Sequence, residues 1–408
     1  MHLEFLIIIR MIRDIWFSLP WWMQTLCGVF LCAWLVQLIY LFSVRIRPLW
    51  RMRQDTRKRV PVASSLPPLS IVVYAHNQSQ ALLQNLPVLL DMDYPDFEVI
   101  VVDDGSNDNH ETENVLRLMD QRSDHFFHTT IAERIRTVSH RKLAMLLGVK
   151  AAHNDIVVMT QAQCVPTSSK WLESIGRLFV DSVDAVVGPV VYEHKRGLLN
   201  GFYQWDFFDR MLTSMGMTLA VKTYGGWSFN MAFRKEAFYA DNNRSIQQHL
   251  GVNPGEDDLF LSAIAKKNNI TVACSPDAVI VNHSSELGYD WKRERLNRAF
   301  THRFSLTQPR MMCRLDVISR IFCMLSGLAL IGLTAWMQSW WVMGVAIFLL
   351  VLYLVAYVLI PYFISTRLLV HRYNLLPLAF ALYTPLVDWV FNIRTLFRNH
   401  QFYVGRID

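Results

Sequence analysis

Phe97 to Asp108 read FEVIVVDDGSND, a run of β-forming residues that stops at two adjacent carboxylates and a glycine turn. A short apolar run bounded by turn residues is the pattern of a strand buried on both faces, as in a parallel sheet. Asp103 and Asp104 then stand at its carboxyl end, the rim where open α/β sheets receive their ligands. Two further runs repeat the pattern: Leu69 to Ala75 (LSIVVYA) ends at His76-Asn77, and Ile156 to Thr160 (IVVMT) ends at Gln161-Ala162-Gln163. Three buried strands thus deliver polar groups to one rim, the outline of a nucleotide pocket.

Around these strands the chain alternates strand-like and helical patterns from Leu69 to about Gln308, which argues an α/β domain over 69–308. Helical spacing predicts helices over Ser79 to Leu90, Glu111 to Met119, His140 to Ala152, Ser168 to Phe179 and Asp257 to Lys267. Further strands are expected over Ala185 to Tyr192 and Met231 to Phe233. Pro61 to Pro68 (PVASSLPP) reads as a linker.

With 408 residues, 52% of them hydrophobic, and a mean hydropathy of +0.20, the chain is too apolar for an ordinary soluble protein. The excess sits at the ends. Met23 to Val44 runs 22 residues without a charge, after Trp21-Trp22 and before Arg45, Arg47, Arg51, Arg53, Arg57, Lys58 and Arg59. Length, aromatic edge and basic flank predict a spanning helix over 21–45, followed by a basic linker, 46–68, that stays cytoplasmic. Lacking a clear small-residue cleavage site, it reads as an anchor and not as a removed signal peptide. Between Arg320 and Arg367 lie 46 residues without one charged side chain, enough for two spans, 318–337 and 341–364, joined by a tight turn near Gln338 to Trp341. Leu375 to Ile393 is weaker, with Pro377, Pro385 and Asp388 between basic flanks; 375–394 is therefore expected to form an interfacial or re-entrant helix. Leu3 to Phe17 carries Arg10, Arg13 and Asp14 among apolar residues and predicts another interfacial segment over 1–20.

Six cysteines without a CxxC pair give neither a zinc site nor a disulfide framework. The net charge of +6 owes much to the arginines behind the first span; topology and anionic membrane lipids account for them without nucleic acid. A transporter fits poorly, because no ionisable side chain lies within the long uncharged stretch.

Five ordered motifs over about 69 to 305 resemble the membrane-bound family 2 glycosyltransferases of the GT-A fold. VVDDGSND (101–108) is similar to the family's nucleotide-binding strand end, RKLAMLLGVKAA (141–152) to its donor-site helix, and GGWSFNMAFRKEAF (225–238) to its acceptor-side block. GEDDLFLS (255–262) resembles the catalytic-base motif, and DWKRERLNRAF (290–300) the basic, aromatic-tipped segment over the diphosphate. The resemblance implies a Rossmann-like nucleotide-diphospho-sugar transferase domain with flanking transmembrane helices. It also implies a nucleotide-sugar donor, a lipid-linked or glycan acceptor, and a catalytic domain on the cytoplasmic face of a bacterial inner membrane.

On that resemblance the strand-end positions Ala75, Asn77, Asp103 and Asp104 face the nucleotide, while Lys142, Gln161 and Gln163 face the donor. Carboxylates at 103 and 104 can accept hydrogen bonds from a base N–H and from ribose hydroxyls, and the same residues can also cap a turn. Glu256, Asp257 and Asp258 stand together before a predicted helix. Crowded acids either serve that helix's dipole or raise one pKa toward the range of a general base. The family's Gly-x-Asp spacing selects Asp257 as the base, and the apolar residues that follow select Asp258. Trp227 and Asn230 offer a ring face and an amide to a sugar or acceptor, and suit the core of a loop equally. Arg293, Arg295 and Arg298 are candidates for the diphosphate, or else line a solvated helix face.

One departure is chemical. The family holds Mn²⁺ or Mg²⁺ with Asp-x-Asp, where this chain has Gln161-Ala162-Gln163, and neutral amides give a hard cation dipoles in place of charge. His283 is a metal-ligand candidate beside Gln163, or a solvated loop histidine. The missing acid pair also motivates another reading, a catalytically silent subunit that binds nucleotide or glycan; the retained acids at 256–258 argue against it.

Overall fold

The computed structural model describes residues 13, 16–131, 139–240, 254–266, 268–368, 380 and 383–397. Most of the expected interfacial segment 1–20, and 375–379, 381 and 382 of the expected helix 375–394, lie outside the described residues.

The chain enters through helix α1 (Trp21–Tyr40), widens into a π-helical turn at Leu41–Arg45 and continues as α2 (Arg47–Thr56). The α/β domain then runs β1 (Leu69–Ala75), α3 (Ser79–Leu90), β2 (Phe97–Asp103), α4 (Glu111–Asp120), β3 (Phe126–Thr130), α5 (His140–Ala151) and β4 (Ile156–Gln161). It continues through β5 (Cys164–Pro166), α6 (Trp171–Gly176), β6 (Ala185–Val187), β7 (Val190–Tyr192), α7 (Leu198–Ala220), β8 (Met231–Arg234) and α8 (Lys235–Ala240). After α9 (Asp258–Ile264), β9 (Ile270–Val272), β10 (Ile280–Asn282) and α10 (Leu287–Thr301), three long or terminal helices follow: α11 (Thr307–Trp336), α12 (Trp340–Arg367) and α13 (Thr384–Phe397).

Seven strands form one sheet in the order β3-β2-β1-β4-β8-β6-β9, and β5-β10-β7 form a small second sheet. The β3-β2-β1-β4 half is parallel, and β8 runs antiparallel to both β4 and β6. Register aligns Ala75 with Asp103 and Tyr74 with Gln161, so the three buried runs do end on a common rim. Helix α5 covers one face of the sheet through Ala144, Met145 and Val149, while α3 and α4 cover the other through Leu82, Leu86 and Leu116.

Three differences from the sequence reading have physical causes. The run 185–192 is two strands in two sheets, because Gly188-Pro189 interrupts it; a Cβ on Gly188 would stand 2.3 Å from Asn230 Nδ2. The basic stretch after the first span is helical over Arg47–Thr56, giving one apolar-to-basic rod from Trp21 to Thr56. The helix expected from Asp257 starts at Asp258, since the Asp257 side chain accepts the Asp258 N–H as an N-cap.

Among the described residues, three helices are long and apolar enough to cross a membrane: Trp21–Thr56, Thr307–Trp336 and Trp340–Arg367. They pack on one another at small residues, a Cβ on Gly327 standing 2.9 Å from the Phe30 ring. The bundle meets the domain at α7. There Arg45 of the π turn makes a two-pronged ion pair with Asp209 at 2.6 and 2.8 Å, both side chains buried. Two turns further along α7, Gly216 lets the backbones touch: a Cβ there would lie 2.4 Å from the Val44 carbonyl oxygen. Gly216→Ala is expected to cost about 1–3 kcal/mol through overpacking of this seam. Gly332→Ala, where nothing lies within 4 Å, should leave thermal unfolding of the detergent-solubilised protein unchanged or slightly raised.

Candidate active site

At the sheet rim the β2 carboxylates hold two loops together. Asp103 accepts from the Ser106 hydroxyl at 2.5 Å and, weakly, from its N–H at 3.3 Å, across a turn that Gly105 permits with φ +59°. Asn77, itself at φ +51°, exchanges two hydrogen bonds with Asn107 at 2.8 and 2.9 Å and donates its N–H to Ser106. Asp104 donates its backbone N–H to the Ala75 carbonyl, and its carboxylate receives the Tyr74 hydroxyl at 2.5 Å and pairs with His140. The turn-capping and the rim positions expected from sequence are thus both present.

From this rim a polar chain leads to the acid cluster. Arg141 stacks 5.7 Å over the Tyr74 ring and reaches Glu256 at 3.4 Å. Glu256 also accepts from the Ser228 hydroxyl at 3.2 Å, and Ser228 donates its N–H to Asp257 at 3.1 Å. A chain of contacts therefore links Asp104 through Tyr74 and Arg141 to Glu256 and Asp257. A cavity of about 290 Å³ opens here, lined among others by His140, Arg141, Glu256, Asp257, Arg293 and Glu294. Asp104 itself lies behind His140, outside the lining of the cavity.

The three acids are not equivalent. Asp258 is consumed by Arg298 at 2.8 Å and the Thr301 hydroxyl at 2.9 Å. Asp257 lies farther from Arg298, at 3.4 Å, and takes two backbone N–H groups. Burial first, then the adjacent Asp258 charge, pushes the Asp257 carboxyl well above the usual carboxylate range. Burial raises Asp258 too, with Arg298 opposing it. Of the pair, Asp257 is the more strongly raised and its side chain the more accessible, 11% exposed against 3%, as a base requires. Lys142 is buried below the cluster, and desolvation lowers its ammonium to about 8 although Glu256 and Asp257 favour the charged form.

The two glutamines are wired to each other. Gln78 donates to Gln163 at 2.8 Å, Gln163 to Gln161 at 3.0 Å, and Gln161 points at the Ser228 hydroxyl at 3.5 Å. Their amides complete a chain to Glu256, and this neutral, mutually occupied donor set does not fit a divalent cation. Among the described residues, no three His, Cys, Asp or Glu side chains gather around a common point that would hold a metal ion. His283 instead lies 3.3 Å from Glu193 at the surface and gives its N–H to the Gln163 carbonyl.

Several sequence candidates lie elsewhere. Asn230 is fully buried, donating to the Pro189 and Ala278 carbonyls at 2.9 and 2.7 Å and accepting from Trp171 at 3.1 Å. Such an amide has nothing left for a sugar. Trp227 is buried with Arg298 stacked 3.9 Å over its ring, so its face is occupied. Arg295 is buried between Asp206 and Asp388 and cannot approach a diphosphate without stranding them. Arg298 organises the acids, leaving Arg293, paired at the surface with Asp290, as the exposed one of these three arginines at the cavity. Arg141, Ser228 and Glu294 went unrecognised in the sequence, although each adjoins a residue that was singled out.

Residues 70–240 match the family described as Glycosyl transferase family 2. No curated protein sequence matches the chain. Among solved structures, the mannosyltransferase PcManGT from Pyrobaculum calidifontis, in complex with GDP-Man and Mn²⁺, is 18% identical with a TM-score of 0.50. The alignment covers 90% of this chain and 98% of that one. TarS 1-349 of S. aureus, in complex with UDP-GlcNAc, is 16% identical over 80% of this chain and 90% of its own, with a TM-score of 0.40. The first likeness shows the fold, a mixed sheet of GT-A type flanked by apolar helices.

If Asn230 is a core amide, Asn230→Ala leaves two carbonyls and an indole N–H unsatisfied. The expected cost is about 3 kcal/mol in thermal unfolding. A variant of wild-type stability with only a raised KM would instead put the amide on the substrate.

Proposed function

We propose, on the match of residues 70–240 to glycosyl transferase family 2, an inverting transferase that moves a sugar from a nucleoside diphosphate to a lipid-linked or glycan acceptor at the cytoplasmic membrane face. The observation that carries this reading is the unequal acid pair, with Asp258 spent on Arg298 and Asp257 raised in proton affinity beside an open cavity.

In this reaction Asp257 takes the proton of an acceptor hydroxyl whose oxygen forms the new bond to the anomeric carbon. The bond from that carbon to the diphosphate oxygen breaks on the opposite face, and the electron pair leaves with the nucleoside diphosphate. Positioned proton removal contributes about 10²–10⁴ in rate. Charge growing on the leaving diphosphate needs cations. Arg141, Lys142 and Arg293 border or underlie the cavity and supply them, while the glutamine chain supplies none. The rim at Ala75, Asn77, Asp103 and Asp104 receives the nucleoside; its exposed edge, Asn77 and Asn107, is the part with free surface. GDP-Man and UDP-GlcNAc, bound by the two compared proteins, name the donor class for the assay. The apolar rods beside the domain favour an acceptor held in or at the bilayer.

Purified protein incubated with a panel of nucleotide sugars is expected to release nucleoside diphosphate, with turnover persisting in EDTA. Asp257→Asn should lose about 10² or more in kcat while retaining nucleotide binding. Complete dependence on added Mn²⁺ would return the cation step to the mechanism. Turnover seen only after Gln161→Asp with Gln163→Asp would mark the natural chain as a silent subunit.

The pH profile follows from two signs. Catalysis needs Asp257 deprotonated, so kcat falls with acid from a pH above the usual carboxylate range. It needs Lys142 charged, so kcat falls again as pH rises through about 8. Lys142→Arg keeps its charge to higher pH and is expected to abolish the alkaline limb.

A further inference from the structure

A second cavity, of about 440 Å³, lies between the domain and the membrane rods. Eight arginines line it against three aspartates. Each aspartate is already taken: Asp209 by Arg45, Asp316 by Arg320 and Asp388 by Arg295. Arg303, Arg310 and Arg314 have no carboxylate partner among the described residues. Deeper in, Arg210 pairs through Nε with Asp206 at 3.3 Å, and both of its terminal guanidinium nitrogens are buried without a hydrogen-bond partner. The surplus positive field is felt by its neighbours. His302, half-buried on this wall with Tyr224 at 2.8 Å, is held down at about 3 by desolvation and then by Arg298, Arg210 and Arg295. Arg210 is lowered by burial and by Arg295.

The same walls are apolar where they meet the spans. Val317 and Ile318 come from the start of α11, and Trp389 and Ile393 from α13. A cavity with a cationic throat and an apolar wall, at the ends of two helices long and apolar enough to span a membrane, has the chemistry of an amphiphilic anion site. Arg298 lines both this cavity and the one holding Asp257, so the two hollows share a wall.

We propose that this second cavity binds the phosphate-bearing head of an anionic lipid and presents it beside the carboxylate cavity. The apolar lining and the position at the span ends favour a lipid over free phosphate. The proposal deepens the acceptor reading above and rests on it only for the phrase "beside the carboxylate cavity"; binding itself stands on the arginines.

The test uses the full chain in a neutral detergent, with farnesyl phosphate as probe and farnesol and inorganic phosphate as controls, measured by native mass spectrometry. Farnesyl phosphate is expected to bind, and the two controls to fail at equal concentration. Arg303→Gln with Arg314→Gln, both at exposed positions, should weaken binding about tenfold or more, and Arg210→Gln likewise. UDP or GDP binding should be unchanged in every variant, which separates failure of this proposal from failure of the nucleotide-sugar reading. Equal binding of farnesol, equal binding of inorganic phosphate, or variants that bind farnesyl phosphate as the wild type does would each overturn it. So would a loss of lipid binding that always accompanies a loss of nucleotide binding.

Discussion

One guanidinium organises the acid end of this molecule. Arg298 lies 3.9 Å over Trp227, bonds Glu294 at 2.6 Å and Asp258 at 2.8 Å, approaches Asp257 at 3.4 Å, and donates to the Gly226 carbonyl. A buried cation among three carboxylates adds little net stability, because desolvation offsets most of the attraction. Its removal is another matter, since it would strand several buried charges at once. The consequence is chemical sorting. Asp258 is fixed as the arginine's partner, and Asp257, next in line and crowded by that charge, is left with the raised proton affinity. Gly225, at φ +123°, makes the arrangement possible, for a Cβ there would fall 2.1 Å from Asp258 Oδ1.

The same helix ties the acid cluster to the membrane rods. Arg295, one turn before Arg298 on α10, joins Asp206 of α7 to Asp388 of α13. Asp209, one turn after Asp206, receives Arg45 from the first rod. A ladder of buried ion pairs thus runs from the catalytic-type cavity to the spans. Each rung is a poor source of stability by itself, yet together they fix the register of α7, α10 and the rods, since slipping any helix would unpair more than one charge.

What the sequence made legible follows from its physics. The strands β1, β2 and β4 are buried on both sides, so a continuous apolar run was enough to find them and their common rim. Strand β3 escaped because its exposed positions include polar residues in FFHTT, and α7 because aromatic and acidic residues crowd a helix whose acids face arginines inside the protein. The order of the motifs carried the acid cluster and the glutamine departure. It did not carry side-chain direction. Trp227, Asn230 and Arg295 are the right residue types for a sugar or a phosphate and were chosen for that reason, but each is spent on a buried partner that lies far off in sequence. Arg141 and Glu294 stayed hidden for the converse reason, since only the fold brings them to Glu256 and Arg298.

The glutamine pair shows how a charge can be moved without unmaking a site. An Asp-x-Asp beside Glu256 and Asp257 would add two more anions to a crowded hollow and would need a cation to be tolerable. Replacing both with amides removes that need, and the amides satisfy one another through Gln78 and Ser228. In the proposed reaction the leaving group then draws no divalent partner from this pair. Arg141, held by Glu256, and Lys142, underneath, are placed by the first turn of α5 to stand in for one. Two monovalent cations fixed by a helix and by carboxylates can supply the charge of one divalent ion, and they do so preorganised, with no ion to recruit from solvent.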